Sequence, residues 1–219
     1  MSRSSRADLT AFRRALSAEH TEVAVSDLDG VLRRFDPTLW TDLADLTGLP
    51  APTVFGAILG NPALHDVVRG RVTHAQWRAR ATRDLRAEGA GSAAAQRAVE
   101  IWSTTPATVD REVQGVLDDA RDHGMAVFVF TNGTDRVRAE IEELGLSAQV
   151  GADGTHLLNS VDFGAAKPEQ TAYAAAHARI EHVLGRHVEH RAVAFLDDSP
   201  SHVRGAETFG WQAVLHRAD

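Results

Sequence analysis

Three short apolar runs, at residues 23–25, 126–130 and 193–196, each end in a cluster of oxygen-bearing polar residues, with helical patterns between them. Uninterrupted apolar runs suit strands buried on both faces, and intervening helices supply the long crossovers that parallel pairing needs. The pattern predicts an α/β fold, a Rossmann-like parallel sheet covered by helices on both sides. In such open sheets ligands sit beyond the carboxyl ends of the strands. At those ends the chain carries Ser26-Asp27-Leu28-Asp29-Gly30, then Thr131-Asn132-Gly133-Thr134, then Asp197-Asp198-Ser199.

The elements between the runs follow from periodicity and punctuation. The first five residues are polar after Met1, and a helix is expected over about 8–19, with Leu9, Phe12 and Leu16 on one face. From Phe35 to Pro106 no strand signal occurs. Helical spacings fill this stretch, separated by turn signals at 48–50, 60–62 and 88–91. It reads as an all-helical insertion over 36–105, with 1–35 and 106–219 forming the α/β part. After it, helices are expected at 109–123, at 134–144, from 167 to about 184 and at 201–209, with short strands at 148–150 and 211–215.

Composition narrows the function. A net charge of −7 argues against a nucleic-acid partner or an anionic membrane surface, both of which require a basic face. The chain has no cysteine, which removes thiol catalysis, disulfides and Cys-based zinc sites and suits a cytoplasmic location. Its longest apolar runs, such as 125–130, fall far short of the roughly 18 residues of a membrane span, and MSRSSRADL carries no apolar signal core. Of the 23 Lys and Arg residues, Lys167 is the single lysine. Where arginine fills the generic roles, a lone lysine marks a place that needs a compact point charge.

The strand-end residues describe a chemistry. Carboxylates at Asp27, Asp29, Asp197 and Asp198 would repel one another without a cation. An all-oxygen site free of His and Cys suits Mg²⁺, which takes a few carboxylates together with phosphate oxygens. Thr131 and Asn132 precede a helix whose first N–H groups favour an anion. Of two Asp residues spaced i, i+2 after a strand, one can attack phosphorus and the other can move the leaving-group proton.

These residues resemble the haloacid dehalogenase (HAD) superfamily of hydrolases over about 23–215. Four motifs stand in order: Asp27-Leu28-Asp29-Gly30-Val31-Leu32, Phe130-Thr131-Asn132-Gly133, Gly164-Ala165-Ala166-Lys167-Pro168 and Phe195-Leu196-Asp197-Asp198-Ser199-Pro200. The resemblance implies that Asp27 is the nucleophile. Asp29 would be the general acid/base, its carbonyl also binding the metal, and Asp198 with Asp197 would complete the ligand set. Thr131 and Asn132 would hold phosphoryl oxygens, and Lys167 would pair with Asp27 and the phosphate. The helical insertion resembles the cap of the subgroup whose cap lies between the first and second motifs. The chain departs from the pattern at Val31, where many members carry Thr, and at His202, where related sequences often carry Asn or Asp. Haloacid dehalogenases proper lack the second Asp of the first motif, so Asp29 favours phosphate esters.

The expected activity is Mg²⁺-dependent hydrolysis of a small phosphorylated metabolite through an aspartyl-phosphate, by a monomer or homodimer. The alternatives are a sugar-phosphate mutase resembling β-phosphoglucomutase, a 2-haloacid dehalogenase, and a phospho-ligand-binding protein without turnover. His177, His182, His187 and His190 lack metal-ligand spacing and read as a solvated helix face. Trp40, Trp77 and Trp102 read as core of the insertion, and Arg33, Arg34, Arg69 and Arg71 as surface charge, some within reach of substrate.

Overall fold

The computed structural model describes residues 3–151 and 153–217. Its main sheet is built from β1 (Val23–Ser26), β4 (Ala126–Thr131), β5 (Leu157–Asn159), β6 (Val193–Asp197) and β7 (Gln212–Leu215), in the order β5-β4-β1-β6-β7. Every pairing in it is parallel. β2 (Arg33–Arg34) and β3 (Thr108–Val109) form a separate antiparallel pair. The central strand alternates as a two-sided strand should. Ala24 packs under the helices Arg3–Leu16 and Arg111–Asp122, with Phe12, Val116 and Leu117. Val23 and Val25 face the helix Gln170–Leu184, among Phe128, Phe195, Tyr173 and Ile180.

Register brings the site together. Ser26 pairs with both Val129 and Leu196, so the residues just beyond β1 lie level with the ends of β4 and β6. Asp27 N donates to Leu196 O at 2.8 Å, which seats Asp27 directly beside Asp197. The chain leaves β1 for β4 on one side and later returns to β6 on the other, which opens a crevice at the carboxyl ends.

Between β2 and β3 lie five helices: Leu39–Thr47, Ala51–Ile58, Ala63–Val67, His74–Ala87 and Ser92–Thr104. They bury apolar faces on one another, with Leu43, Val54, Ile58, Leu85 and Val99 at the centre of one cluster and Val67 and Trp77 in a second. Thr73 and Gln76 close a reciprocal capping box at the start of the fourth. The two crossings into this layer run side by side, Arg33 opposite Val109 and Arg34 opposite Thr108. Arg34 Nη2 is tied to Asp110 at 2.7 Å. Among the described residues no single helix is long and apolar enough to cross a membrane.

Several element expectations change. The first helix is Arg3–Leu16 and not 8–19, while residues 1 and 2, part of the expected polar start, lie outside the described residues. Residues 147–150 are helical, and the edge strand is Leu157–Asn159 instead. Three residues are too few to show a period, so only the neighbour β4 decides which segment pairs. The expected helix at 134–144 begins at Val137, because the Thr134 hydroxyl accepts from Arg136 N in a turn before it. The helix after Lys167 begins at Gln170.

Candidate active site

Lys167 lies at the centre of the site, its side chain fully buried. Nζ is 2.9 Å from Asp27 Oδ1 and 2.7 Å from Asp197 Oδ2, and it donates to Phe130 O at 2.9 Å. Three acceptors for three ammonium hydrogens satisfy the group completely. Burial opposes its charge, but the two carboxylates prevail and raise its pKa above the ordinary lysine value. Its backbone is clamped by Asn132, whose Nδ2 donates to Lys167 O and whose Oδ1 accepts from Lys167 N, both at 2.9 Å. The amide of Asn132, expected to hold phosphoryl oxygens, is therefore engaged in positioning the lysine. That leaves Thr131, buried at the end of β4, to offer a hydroxyl with no partner among the described residues.

Asp27 is nearly buried. Its Oδ1 accepts from Leu28 N at 2.7 Å as well as from Lys167, and no donor reaches Oδ2 among the described residues. Burial, then the charges of Asp197 and Asp29, push its pKa well above the usual carboxylate range despite Lys167. Asp197 is opposite in character. Its burial is outweighed by Lys167 and by His202, whose Nδ1 is 3.0 Å from Oδ1, and its pKa falls below the normal range. Ser199 N also donates to Oδ1, at 2.8 Å. With both oxygens engaged, Asp197 anchors Lys167, and the neighbouring Asp198 is the freer carboxylate. Asp198 lies over the first-motif turn: a Cβ at Gly30 would meet its Oδ2 at 2.0 Å. Burial and Asp197 raise its pKa.

The donor set fits a divalent cation. Asp27, Asp29, Asp197 and Asp198 crowd one strand edge, with Lys167 and Arg33 as the cations bound among them. Burial first, and then the neighbouring carboxylates, push Asp27 and Asp198 upward. A hard cation with oxygen ligands would offset the repulsion among these carboxylates. Asp27, Asp197 and His202 offer ligand atoms within 4.8 Å of one another, but His202 turns its Nδ1 to Asp197. Asp27 keeps one carboxylate oxygen without a donor among the described residues, and Asp198 lies beside it on the same strand edge, so these two side chains could hold such an ion.

Two features were not legible in the sequence. Asp29 is held by Arg33, Nε to Oδ1 at 2.5 Å, and Arg33 Nη1 is 2.6 Å from Glu140 Oε2. Nothing local points to Glu140, which comes from the distant helix Val137–Glu143. The second is a cavity of about 1120 Å³ between the helical layer and the strand ends. Its floor includes Asp29, Asn132 and Lys167, and its roof includes Phe35, Trp40 and Trp102. The tryptophans expected as core therefore also face this space. Arg33 and Arg69 border it too, whereas Arg34 and Arg71 are tied to Asp110 and Asp66. The histidine expectation fails at His177. That side chain is buried, with Nε2 on Val188 O at 2.9 Å and Nδ1 accepting from Trp211 Nε1 at 3.2 Å.

A family model described as haloacid dehalogenase-like hydrolase matches residues 21–210. No curated protein matches the sequence. Among solved structures, a HAD family enzyme from Bacteroides thetaiotaomicron in complex with magnesium and inorganic phosphate superposes with a TM-score of 0.64 at 15% identity, covering 91% of this chain and 96% of that one. L-2-haloacid dehalogenase from Xanthobacter autotrophicus gives 0.57 at 22% identity, covering 88% and 76%. A further dehalogenase structure gives 0.65 at 16% identity, covering 90% and 84%.

Proposed function

This chain belongs to the haloacid dehalogenase-like hydrolases, and from that premise we propose that it is a Mg²⁺-dependent phosphatase that works through an aspartyl-phosphate on Asp27. The observation that carries the reading is Asp29. It borders the cavity two residues beyond Asp27, where a leaving oxygen would need a proton. Halide departs without one, so a dehalogenase has no use for a carboxyl group in that place. The magnesium and phosphate held by the Bacteroides thetaiotaomicron enzyme support the same reading.

In this scheme Asp27 Oδ2, the oxygen left without a donor, attacks phosphorus as the ester P–O bond breaks. Asp29 gives its proton to the leaving oxygen. Asp29 then takes a proton from water as that water attacks phosphorus, which breaks the bond to Asp27 and releases phosphate. Lys167 holds the Asp27 carboxyl in place and offsets charge on the phosphoryl group. The Thr131 hydroxyl and the first N–H groups after β4 bind phosphoryl oxygens. Mg²⁺ held by Asp27 and Asp198, with the Asp29 carbonyl, would supply charge neutralisation at the phosphoryl oxygens. The helices between β2 and β3 act as a cap that closes the cavity against water.

Asp27→Asn tests the assignment. It abolishes Mg²⁺-dependent phosphate release from 4-nitrophenyl phosphate, and an undiminished rate would remove Asp27 as nucleophile. Discharge of the phosphoenzyme by water separates a phosphatase from a mutase, which needs a sugar phosphate as acceptor. Halide release from 2-chloropropionate would establish the dehalogenase instead.

A further inference from the structure

The cavity over the strand ends has two chemically different halves. Its core side carries Asp29, Arg33 and Lys167, while its cap side presents aromatic rings. Trp77 and Trp102 meet edge to face with centroids 4.7 Å apart, and His74 stacks on Trp102 at 5.9 Å. Trp77 Nε1 is already committed to Ile58 O at 2.9 Å, so the polar handle of that indole is used within the protein. Trp40 and Phe35 add further ring surface. Phe35 is 51% exposed although it is a large apolar side chain beside the site, and the Arg33 guanidinium covers part of it at 5.1 Å.

Among the described residues, each lysine and arginine that borders this cavity already faces a carboxylate. Arg33 is bound to Asp29 and Glu140, and Lys167 to Asp27 and Asp197. Arg69, its side chain 9% exposed, is bound to Glu169 and donates to His65 O at 2.6 Å. Arg136 faces Glu140 and Glu143, each at 3.9 Å. A substrate with a second anionic group would have to compete with these carboxylates for its partner, whereas an uncharged body would not.

We infer that the cap-side half of this cavity binds a neutral aromatic or otherwise apolar body, so that the substrate is a phosphomonoester of a bulky uncharged alcohol or phenol and not a short, multiply charged metabolite. The inference rests on the phosphatase reading for the ester and on the cavity alone for the body. The volume, about 1120 Å³, exceeds what a three-carbon phosphate fills and matches the upper range of pockets that enclose drug-sized molecules. Apolar rings in contact with tryptophan faces gain from area burial and from edge-to-face geometry together.

The experiment compares kcat/KM for 2-naphthyl phosphate, glycerol phosphate and 3-phosphoglycerate with Mg²⁺ present, alongside binding of 2-naphthol followed by tryptophan fluorescence. The expected result is at least roughly a hundredfold preference for the naphthyl ester, and binding of naphthol. Trp102→Ala should cut that preference about tenfold or more and weaken naphthol binding, mainly through KM. Phe35→Ala, at a half-exposed position that packing does not depend on, should act in the same direction and guards against a folding defect in the tryptophan variant. Equal or better use of 3-phosphoglycerate would overturn the inference and leave the phosphatase standing. Naphthol binding that is lost in both variants, with no ester cleaved, would support the apolar pocket while removing the phosphatase reading. Absence of naphthol binding together with no preference among esters would overturn the inference.

Discussion

Arg33 Nε lies 2.5 Å from Asp29 Oδ1, so the candidate proton donor is pinned by a residue of its own turn. The turn closes on itself through Gly30 N to Arg33 O at 2.9 Å and Arg33 N to Leu28 O at 2.7 Å. Arg33 extends the link to Glu140, and the two carboxylates outweigh burial to keep its guanidinium firmly charged. Arg33→Ala should lower kcat for phosphate esters about tenfold with little change in KM, because a loosened acid transfers its proton less often. Arg33→Lys should restore part of the rate, since an ammonium can hold Asp29 but lacks the fork that spans both acids. Steady-state kinetics on the two variants decides it, and unchanged kcat in Arg33→Ala would show that Asp29 needs no such support.

Gly30 adopts φ +79, and a Cβ there would meet Asp198 Oδ2 at 2.0 Å and Cγ at 2.7 Å. Gly30→Ala should cost about 1–3 kcal/mol from the backbone alone. It should also push Asp198 from its place and raise the Mg²⁺ concentration for half-maximal activity by roughly tenfold or more. A Mg²⁺ titration of activity, beside a thermal unfolding curve, separates the two effects. A variant with native Mg²⁺ dependence would show that Asp198 is not a ligand.

The fold was legible where chemistry and strand ends coincide. Asp27, Thr131 and Asp197 each directly follow or end a buried run, so one-dimensional order was enough to bring them to a common edge. Strand β5 escaped because its three residues derive their identity from Val129, Phe130 and Thr131 beside them. The Arg33–Glu140 pair spans two parts of the chain that only the folded layers bring together. Asn132 shows a subtler failure. Its residue type suited phosphate binding as well as a backbone clamp, and only the location of Lys167 selects the clamp. His177 likewise carries no sequence mark distinguishing a buried histidine bonded at both nitrogens from a solvated one.

Lys167 binds Asp27 and Asp197 together, and its side chain has no exposed surface. Lys167→Met should therefore cost about 3–5 kcal/mol at neutral pH, since it leaves two buried carboxylates without their shared ammonium. Without the lysine both acids move toward higher pKa. A folded-state pKa above the unfolded value means stability that is present at low pH and lost as pH rises. The deficit of the variant should thus shrink as pH falls from 7 toward 5, the reverse of ordinary acid destabilisation. Urea unfolding of both proteins at the two pH values tests this, and a deficit that stays constant would show that the carboxylates find other partners.

Asp27 and Asp198 both carry pKa values raised first by burial and then by Asp197. Their contribution to stability is complete below the ordinary carboxylate range and declines as pH climbs through the raised values. Asp197, held low by Lys167 and His202, acts in the opposite sense, and its contribution disappears only below that range. Above about pH 4, then, the metal-free protein should lose stability as its two raised acids ionise. In the proposed site Mg²⁺ would bind their ionised forms, so the stabilisation it confers should grow with pH. At 100 times its dissociation constant the ion adds about 2.7 kcal/mol. For a chain of this size that corresponds to roughly 5–10 °C in Tm. Thermal unfolding with Mg²⁺ or with EDTA at pH 5 and pH 8 should show the larger shift at pH 8, and Asp198→Asn should remove most of it. A shift of equal size at both pH values, or one that survives in Asp198→Asn, would place the ion away from these two carboxylates.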